Sequence, residues 1–519
     1  MTLPTLPAPI SRVAAPVLAA LAVLAAALTL AGPAVAYNQS ATTIQVSRSF
    51  DGGFPNGPSR NPAISQDQRI ARVVALESDA TNMVPGDTNG ATDVFVVDRA
   101  GPWEVNGTIW RVGANRLISR GLGGAPANGP SYRPAVDGSP VTPPSCVAFV
   151  SAASNLVPRD TNGAPDAFVA DLRTGRIQRV SVDSRGRQAN GATHEVAVNG
   201  TCTRVAFTSD ATNLAMTRAV RPNWRSLRTS RPPAGSRQVY VRIISRDRRE
   251  QALRGVTYLA SARGGRAANG NSYQPAFGMS TAIISSKLVF ASEATNLARG
   301  DRSAASDVYL ADASRAQRRF GSRLLAYLKP SVRLVSATGS GRAGNGPSSQ
   351  PSVTWKADYV AFQTDATDLL PGDTNGVTDV SRAQVGRRSV SQQWISRPGG
   401  GAPGNGPSTR PSISNGGVFV FIDSLADNFQ VPASFGSDRN RVSDIFLWTT
   451  NLRVFIQSLD RVRQRPLDAP STNPATSARG NYVVYETEDE EADFTFASSH
   501  RRPPPRDMPQ VVMFYLGPQ

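Results

Sequence analysis

Short apolar runs recur along the chain, each bounded by Gly, Pro, Asn or Ser. One set follows a proline or its equivalent: Pro62-Ala63-Ile64-Ser65, Pro134-Ala135-Val136, Glu195-Val196-Ala197-Val198, Pro275-Ala276-Phe277, Pro351-Ser352-Val353, Pro411-Ser412-Ile413-Ser414 and Pro474-Ala475-Thr476. A second set tracks it: Val73-Val74-Ala75-Leu76, Val147-Ala148-Phe149-Val150, Val205-Ala206-Phe207, Leu288-Val289-Phe290, Val360-Ala361-Phe362, Val418-Phe419-Val420-Phe421 and Tyr482-Val483-Val484-Tyr485. Runs this short, rich in β-branched and aromatic residues and closed by turn residues, read as strands. A third run, Asp-Val-Phe-Val-x-Asp in type, and a fourth, like Arg116-Leu117-Ile118-Ser119, complete each unit.

Seven copies of a four-strand unit predict an all-β chain. One such unit cannot bury both faces, so the units must stack in a ring, as propeller blades do. The last unit stops after its third run, Val511 to Leu516, while Thr43-Ile44-Gln45-Val46-Ser47 looks like a fourth strand placed before the first unit. The expectation is a single seven-bladed β-propeller over residues 37–519, built of four-stranded antiparallel blades, with the last blade closed by the N-terminal strand. Closure of this kind hides strand edges. Loops from fourth to first strands and from second to third strands then share one face. Two insertions break the regularity: Ala215 to Ser236, with Arg218, Arg221, Arg225, Arg228 and Arg231, and Ala313 to Pro330. Both read as surface loops, the second with room for a short helix.

The sequence of Pro-Ala-Ile-Ser, Val-Ala-Phe-x-Ser and Asp-Val-Phe-Val-x-Asp resembles the TolB-type, WD-repeat-like propeller repeat of exported bacterial proteins. The resemblance spans nearly all of the chain after residue 36 and implies a secreted binding or scaffold propeller. The separate N-terminal domain that accompanies the propeller in TolB has no counterpart, which argues against a Tol–Pal role.

Export is also read from the residues. Arg12 precedes an almost unbroken Ala/Val/Leu run from Val13 to Leu30, and Ala34-Val35-Ala36 offers a signal-peptidase site before Tyr37. Residues 1–36 therefore read as a signal peptide, with a retained membrane anchor as the alternative. Cys146 and Cys202 are the only cysteines and begin equivalent strands of adjacent units, so an exported chain would pair them as a disulfide. The net charge is +17, carried almost wholly by Arg, with Lys only at 287, 329 and 356. Such a field suits an anionic envelope polymer. The Arg is scattered and no recognition motif is present, so nucleic acid is not expected as a partner.

The stretch PGDTNGATD from Pro85 raises a separate question. It places Asp87, Asn89 and Asp93 at i, i+2 and i+6, and the spacing returns at Asp160, Asn162, Asp166, at Asp373, Asn375, Asp379 and at Asp438, Asn440, Asp444. The fourth unit keeps Asp301 and Asp307 with Ser303 between, and the third and seventh lack the pattern. Two readings stand open. Oxygen-rich loops of this kind suit Ca²⁺, with Asp79 or Asp365 as a further ligand. Equally, Asn-Gly makes a tight turn whose Asp and Asn side chains bond their own backbone. No other cofactor is suggested.

Catalytic signatures are few. His194 and His500 are the only histidines, no Gly-x-Ser-x-Gly elbow occurs, and no Cys/His metal cluster is present. The acidic run from Glu486 to Asp493 reads as a solvated loop. The expectation is a secreted, non-enzymatic propeller acting on an unknown protein or an anionic envelope polymer through its loop-rich face. The alternative is an extracellular carbohydrate-active hydrolase or lyase using carboxylates near the central channel.

Overall fold

A computed structural model describes residues 42–67, 70–101, 110–139, 141–215, 228–245, 253–279, 287–320, 323–398, 401–451, 453–460, 463–493 and 507–516. It forms seven four-stranded antiparallel sheets, each ordered as its strands follow along the chain except the last. Blade one is Ser59–Ile64, Val73–Ser78, Asp93–Arg99 and Val112–Leu117. Blade two is Ser131–Val136, Cys146–Ser151, Asp166–Asp171 and Ile177–Arg179. The first strands of successive blades touch one another round a closed circle, which makes them the innermost strands of a seven-bladed propeller.

Blade seven joins the two ends of the chain. Its Ser471–Thr476, Tyr482–Thr487 and Gln510–Tyr515 are completed by Thr42–Gln45, which pairs Thr42 with Tyr515 and Gln45 with Val512. Ile44 and Val46 bury against Tyr482, Val484 and Met513, so closure rests on apolar contact as well as ladder bonds. The leader assigned to residues 1–36 lies outside the described residues. Among the described residues, no helix is long and apolar enough to cross a membrane.

The core lies between blades. Val73, Ala75, Val94 and Val96 of blade one pack on Val136, Val147 and Phe149 of blade two. The Phe of Val-Ala-Phe lies opposite the aromatic of the third strand: Phe149 on Phe168, Phe207 on Tyr240 and Phe290 on Tyr309, with centroids 5.7–5.8 Å apart. Each such cross-strand pair contributes about 0.5–1.5 kcal/mol beyond its buried area. The repeated serines have a like purpose. Ser59 bonds Ser78, Ser131 bonds Ser151 and Ser408 bonds Ser424, tying the start of the innermost strand to the end of the second.

The fourth blade departs from expectation. Ala313 to Pro330 contains no helix among the described residues; it prolongs the outer hairpin as strands Asp307–Phe320 and Arg323–Leu334, paired out to Phe320 with Arg323. The blade already presents two strands in register, so each further pair adds ladder bonds without the costly nucleus a helix requires. Of the third-blade insertion, Arg218, Arg221 and Arg225 lie outside the described residues. Its later part is anchored where Ser230 N donates to Gly265 O and Ser230 Oγ accepts from Ala267 N.

Candidate functional site

The acidic turns sit between second and third strands, and their last Asp forms a latch. Ser119 Oγ donates to Asp93 Oδ1 at 2.5 Å and accepts from Val94 N. The same pair recurs as Ser181–Asp166, Ser336–Asp307, Ser396–Asp379 and Ser458–Asp444. Blades three and seven, which lack the acid, use Gln238 with Ser261 and Gln510 with Ser47. The latch therefore joins the third strand to the fourth in every blade, and in blade seven its serine comes from the N-terminal strand.

The Asn of each turn completes this lock. Asn89 Oδ1 accepts from Ala91 N, while Nδ2 donates to Asp93 Oδ2 at 2.6 Å and to Ala127 O. Asn162 with Asp166, Asn375 with Asp379 and Asn440 with Asp444 repeat the arrangement. Asp79 and Asp365, the further acids of the metal reading, accept from Thr92 and Thr378 and pin the turn from its other end. Burial pushes the last acid upward: Asp93 to about 6, Asp307 to about 7 and Asp444 to about 8. Each carries a further upward push from the first acid of its own turn.

The Asn-Gly loops are equally committed to structure. Asn56 exchanges bonds with Asn82 and Thr81, as Asn128 does with Asn155 and Ser154. Gly57 follows because a Cβ there would stand 2.8 Å from the backbone of Asp79 and Ala80.

The axis carries a feature that the strand pattern does not disclose. Each innermost strand bulges in its middle, with register shifts in all seven blades. In six of them the residue before the proline takes a left-handed φ: Asn61 (50°), Arg133 (53°), Gln274 (54°), Gln350 (52°), Arg410 (44°) and Asn473 (56°). Such a φ costs a non-glycine residue about 1–2 kcal/mol. The bulge swings a polar side chain to the axis and frees a backbone N–H.

Neighbouring blades take up that N–H. Glu77 Oε2 accepts from Arg133 N (2.6 Å), Glu195 from Gln274 N (2.7 Å), Gln274 Oε1 from Gln350 N (2.8 Å) and Gln363 from Arg410 N (3.2 Å). Asp423 accepts from Asn473 N (2.9 Å), and Glu486 closes the circle from Asn61 N (2.8 Å). Between blades two and three the link is an ion pair, Arg133 to Glu195 at 3.0 Å. Glu486, expected within a solvated run, thus belongs to the second strand of blade seven and to this ring.

The ring encloses a polar cavity of about 340 Å³ lined by Asn61, Arg133, Glu195, Gln274, Gln350, Arg410, Asn473 and Glu486. Beyond it, Ala135, Val196, Ala276, Val353 and Ile413 line a second, more apolar space of about 240 Å³. Arg133 and Arg410 are half exposed, whereas Asp423, which pairs with Arg410 at 2.7 Å, is buried. Burial, and the like charge of Glu486, hold the Glu77 carboxyl above its ordinary value.

Other candidates resolve simply. Cys146 and Cys202 are joined as a disulfide, with Cα atoms 6.2 Å apart, linking blade two to blade three. Asp137 is nearby, but both sulfurs are committed to each other and cannot ligate a metal. His194 bonds Asp210 at 2.7 Å, half exposed, with no nucleophile among its described bonds. His500 lies outside the described residues.

No family model matches the chain, and no curated protein matches it. Solved structures similar to it include TolB from Acinetobacter baumannii, at 13% identity over 74% of this chain and 71% of that one, TM-score 0.31. An oligogalacturonate lyase in complex with manganese is similar at 9% identity over 92% and 90%, TM-score 0.43. An acylaminoacyl peptidase from Pyrococcus horikoshii is similar at 9% identity over 86% of this chain, TM-score 0.39, and the chain spans about half (51%) of that peptidase. The seven-bladed architecture itself is read from strand pairing, and it is the fold that the TolB-like repeat implied.

Proposed function

We propose that this is an exported, non-enzymatic β-propeller that binds an anionic envelope polymer at its axial cavity. The observation that carries the reading is the ring: its carboxylates are engaged by backbone N–H groups, and Arg133 and Arg410, paired with Glu195 and Asp423, stay half exposed and line the cavity. The amide heads of Asn61, Gln274, Gln350 and Asn473 line the same cavity and offer donors and acceptors to a hydroxylated chain. The net charge of +17 attracts such a polymer at long range.

The test is retention of the protein on immobilised polygalacturonate, with neutral dextran as control, for the parent and for Arg133→Gln/Arg410→Gln. Loss of retention in the variant supports the reading. Equal retention of both, or retention on dextran, overturns it.

A second reading, a carbohydrate-active hydrolase or lyase, is favoured by one contact set. Asn61 bridges Glu77 (2.7 Å) and Glu486 (2.8 Å), and burial together with the like charge of Glu486 holds the Glu77 carboxyl above its ordinary value. A raised carboxyl with a second carboxylate nearby is what glycosidic cleavage uses. New reducing or unsaturated chain ends, lost in Glu77→Gln, would select this reading over the first.

A further inference from the structure

The acidic turn of blade two differs from that of blade one at two positions. In blade two, Arg179 Nη1 lies between the carboxylates, 3.3 Å from Asp160 Oδ1 and 3.2 Å from Asp166 Oδ2, and the guanidinium is largely buried. Gln188 Nε2 reaches the same two oxygens at 2.7 and 2.8 Å. In blade one, strand register puts Leu117 opposite Phe95 where Arg179 is opposite Phe168. Pro126, just before the Ala127 that accepts from Asn89, stands where Gln188 precedes Ala189. Neither Leu117 nor Pro126 can donate through its side chain or carry charge.

The acids remain. Asp87 is 7% exposed, and its Oδ1 is buried and accepts no hydrogen bond from the described residues. It is the atom whose counterpart, Asp160 Oδ1, is held by Arg179 and Gln188. Asp93 is wholly buried beside it. Blade five repeats the orphan at Asp373 Oδ1, with Trp394 and Pro403 at the two positions.

We propose that the acidic turn of blade one is a cation site, and that Ca²⁺ bridges Asp87 Oδ1 and Asp93 Oδ2 where blade two uses the guanidinium of Arg179. Two carboxylates and adjacent turn carbonyls are hard oxygen donors on an exposed loop, which suits Ca²⁺ and leaves coordination positions for water. The site does not depend on the axial cavity having a polymer ligand. Blade two is its internal control, since the chain there supplies the cation itself.

The test is calorimetric titration of metal-free protein with Ca²⁺ alone, paired with thermal melts in EDTA and in excess Ca²⁺. The parent is compared with Asp87→Asn and with Leu117→Arg/Pro126→Gln, which transplants the blade-two pair into blade one. Either variant is expected to bind one Ca²⁺ fewer per chain. The transplant should also melt higher than the parent in EDTA, because the guanidinium neutralises the acids without metal. No Ca²⁺ binding by the parent, or the same number of ions in parent and both variants, overturns the proposal.

Discussion

Two belts of carboxylates occupy the loop-rich part of this propeller, and they handle burial in opposite ways. At the outer belt, Asp93, Asp166, Asp379 and Asp444 are fully buried and bonded to Ser and Asn of their own turn and blade. At the axis, Glu77, Asp423 and Glu486 reach across to the next blade, and Glu486 borders an open polar cavity. The outer belt holds each blade together; the inner belt holds blades to one another. A carboxylate that loses water must find donors locally, whereas one beside a wet cavity can keep water among its partners.

That contrast can be broken by truncation. Asp444→Ala strands the Ser458 hydroxyl and the Asn440 amide in a dry site, and is expected to lower unfolding free energy by about 3 kcal/mol. Glu486→Ala leaves its donors next to the cavity, and should cost only about 1 kcal/mol. Urea unfolding of both measures the difference; equal losses would erase the distinction.

A smaller effect tests the loops that join the belts. Gly57→Ala forces a Cβ to within 2.8 Å of backbone, and is expected to cost about 2 kcal/mol. Gly90→Ala meets nothing within 4 Å and strains only a φ of +62°, for about 1 kcal/mol. Reversal of that order would mean that the Asn56 loop is free to move.

The pH response sharpens the comparison further. Burial raises Asp93 to about 6, Asp307 to about 7 and Asp444 to about 8, from an ordinary 3.8. A carboxyl raised on folding binds its proton more tightly in the folded state. Its contribution is fully present below pH 3.8 and is lost as pH rises through the folded values, here from about 6 to about 8. Between 3.8 and its own folded value, one such group lowers stability by about 1.4 kcal/mol per pH unit as the pH rises. Melts in EDTA should therefore fall between pH 5 and pH 8.5, and Asp444→Asn should flatten the curve. A melt that rises over this interval would contradict the burial of the outer belt.

The smallest effect belongs to His194. Its half-exposed pair with Asp210 is screened by water, so His194→Gln should change stability by about 0.5 kcal/mol or less. A large loss would move this pair into the outer belt's class.

Much of the fold was legible in the chain. Val-Ala-Phe and Asp-Val-Phe announce strands because burial on both faces selects short runs of β-branched and aromatic residues, and seven copies with one strand displaced to the front spell out ring closure. The outer belt was half legible: Asp87, Asn89 and Asp93 stood out by spacing, but the serine that meets Asp93 lies 26 residues away. The hairpin at Ala313 to Pro330 was missed because its ladder partners are set by blade register, not by local propensity.

Composition and periodicity alone determined the strands, their number per unit and the circular stacking, since each follows from hiding apolar faces within a short stretch of chain. Only the tertiary structure decided what the polar residues do. The x-Pro dipeptides gave no sign of left-handed bulges, and Glu77, Asp423 and Glu486 gave no sign of clasping the N–H groups those bulges release. The choice between Arg179 and a bare pair of acids likewise rests on two side chains brought beside the turn by the sheet. Burial of apolar groups is local and additive enough to read along a chain; hydrogen bonds and charges depend on which partners arrive from elsewhere, and folding alone brings them there.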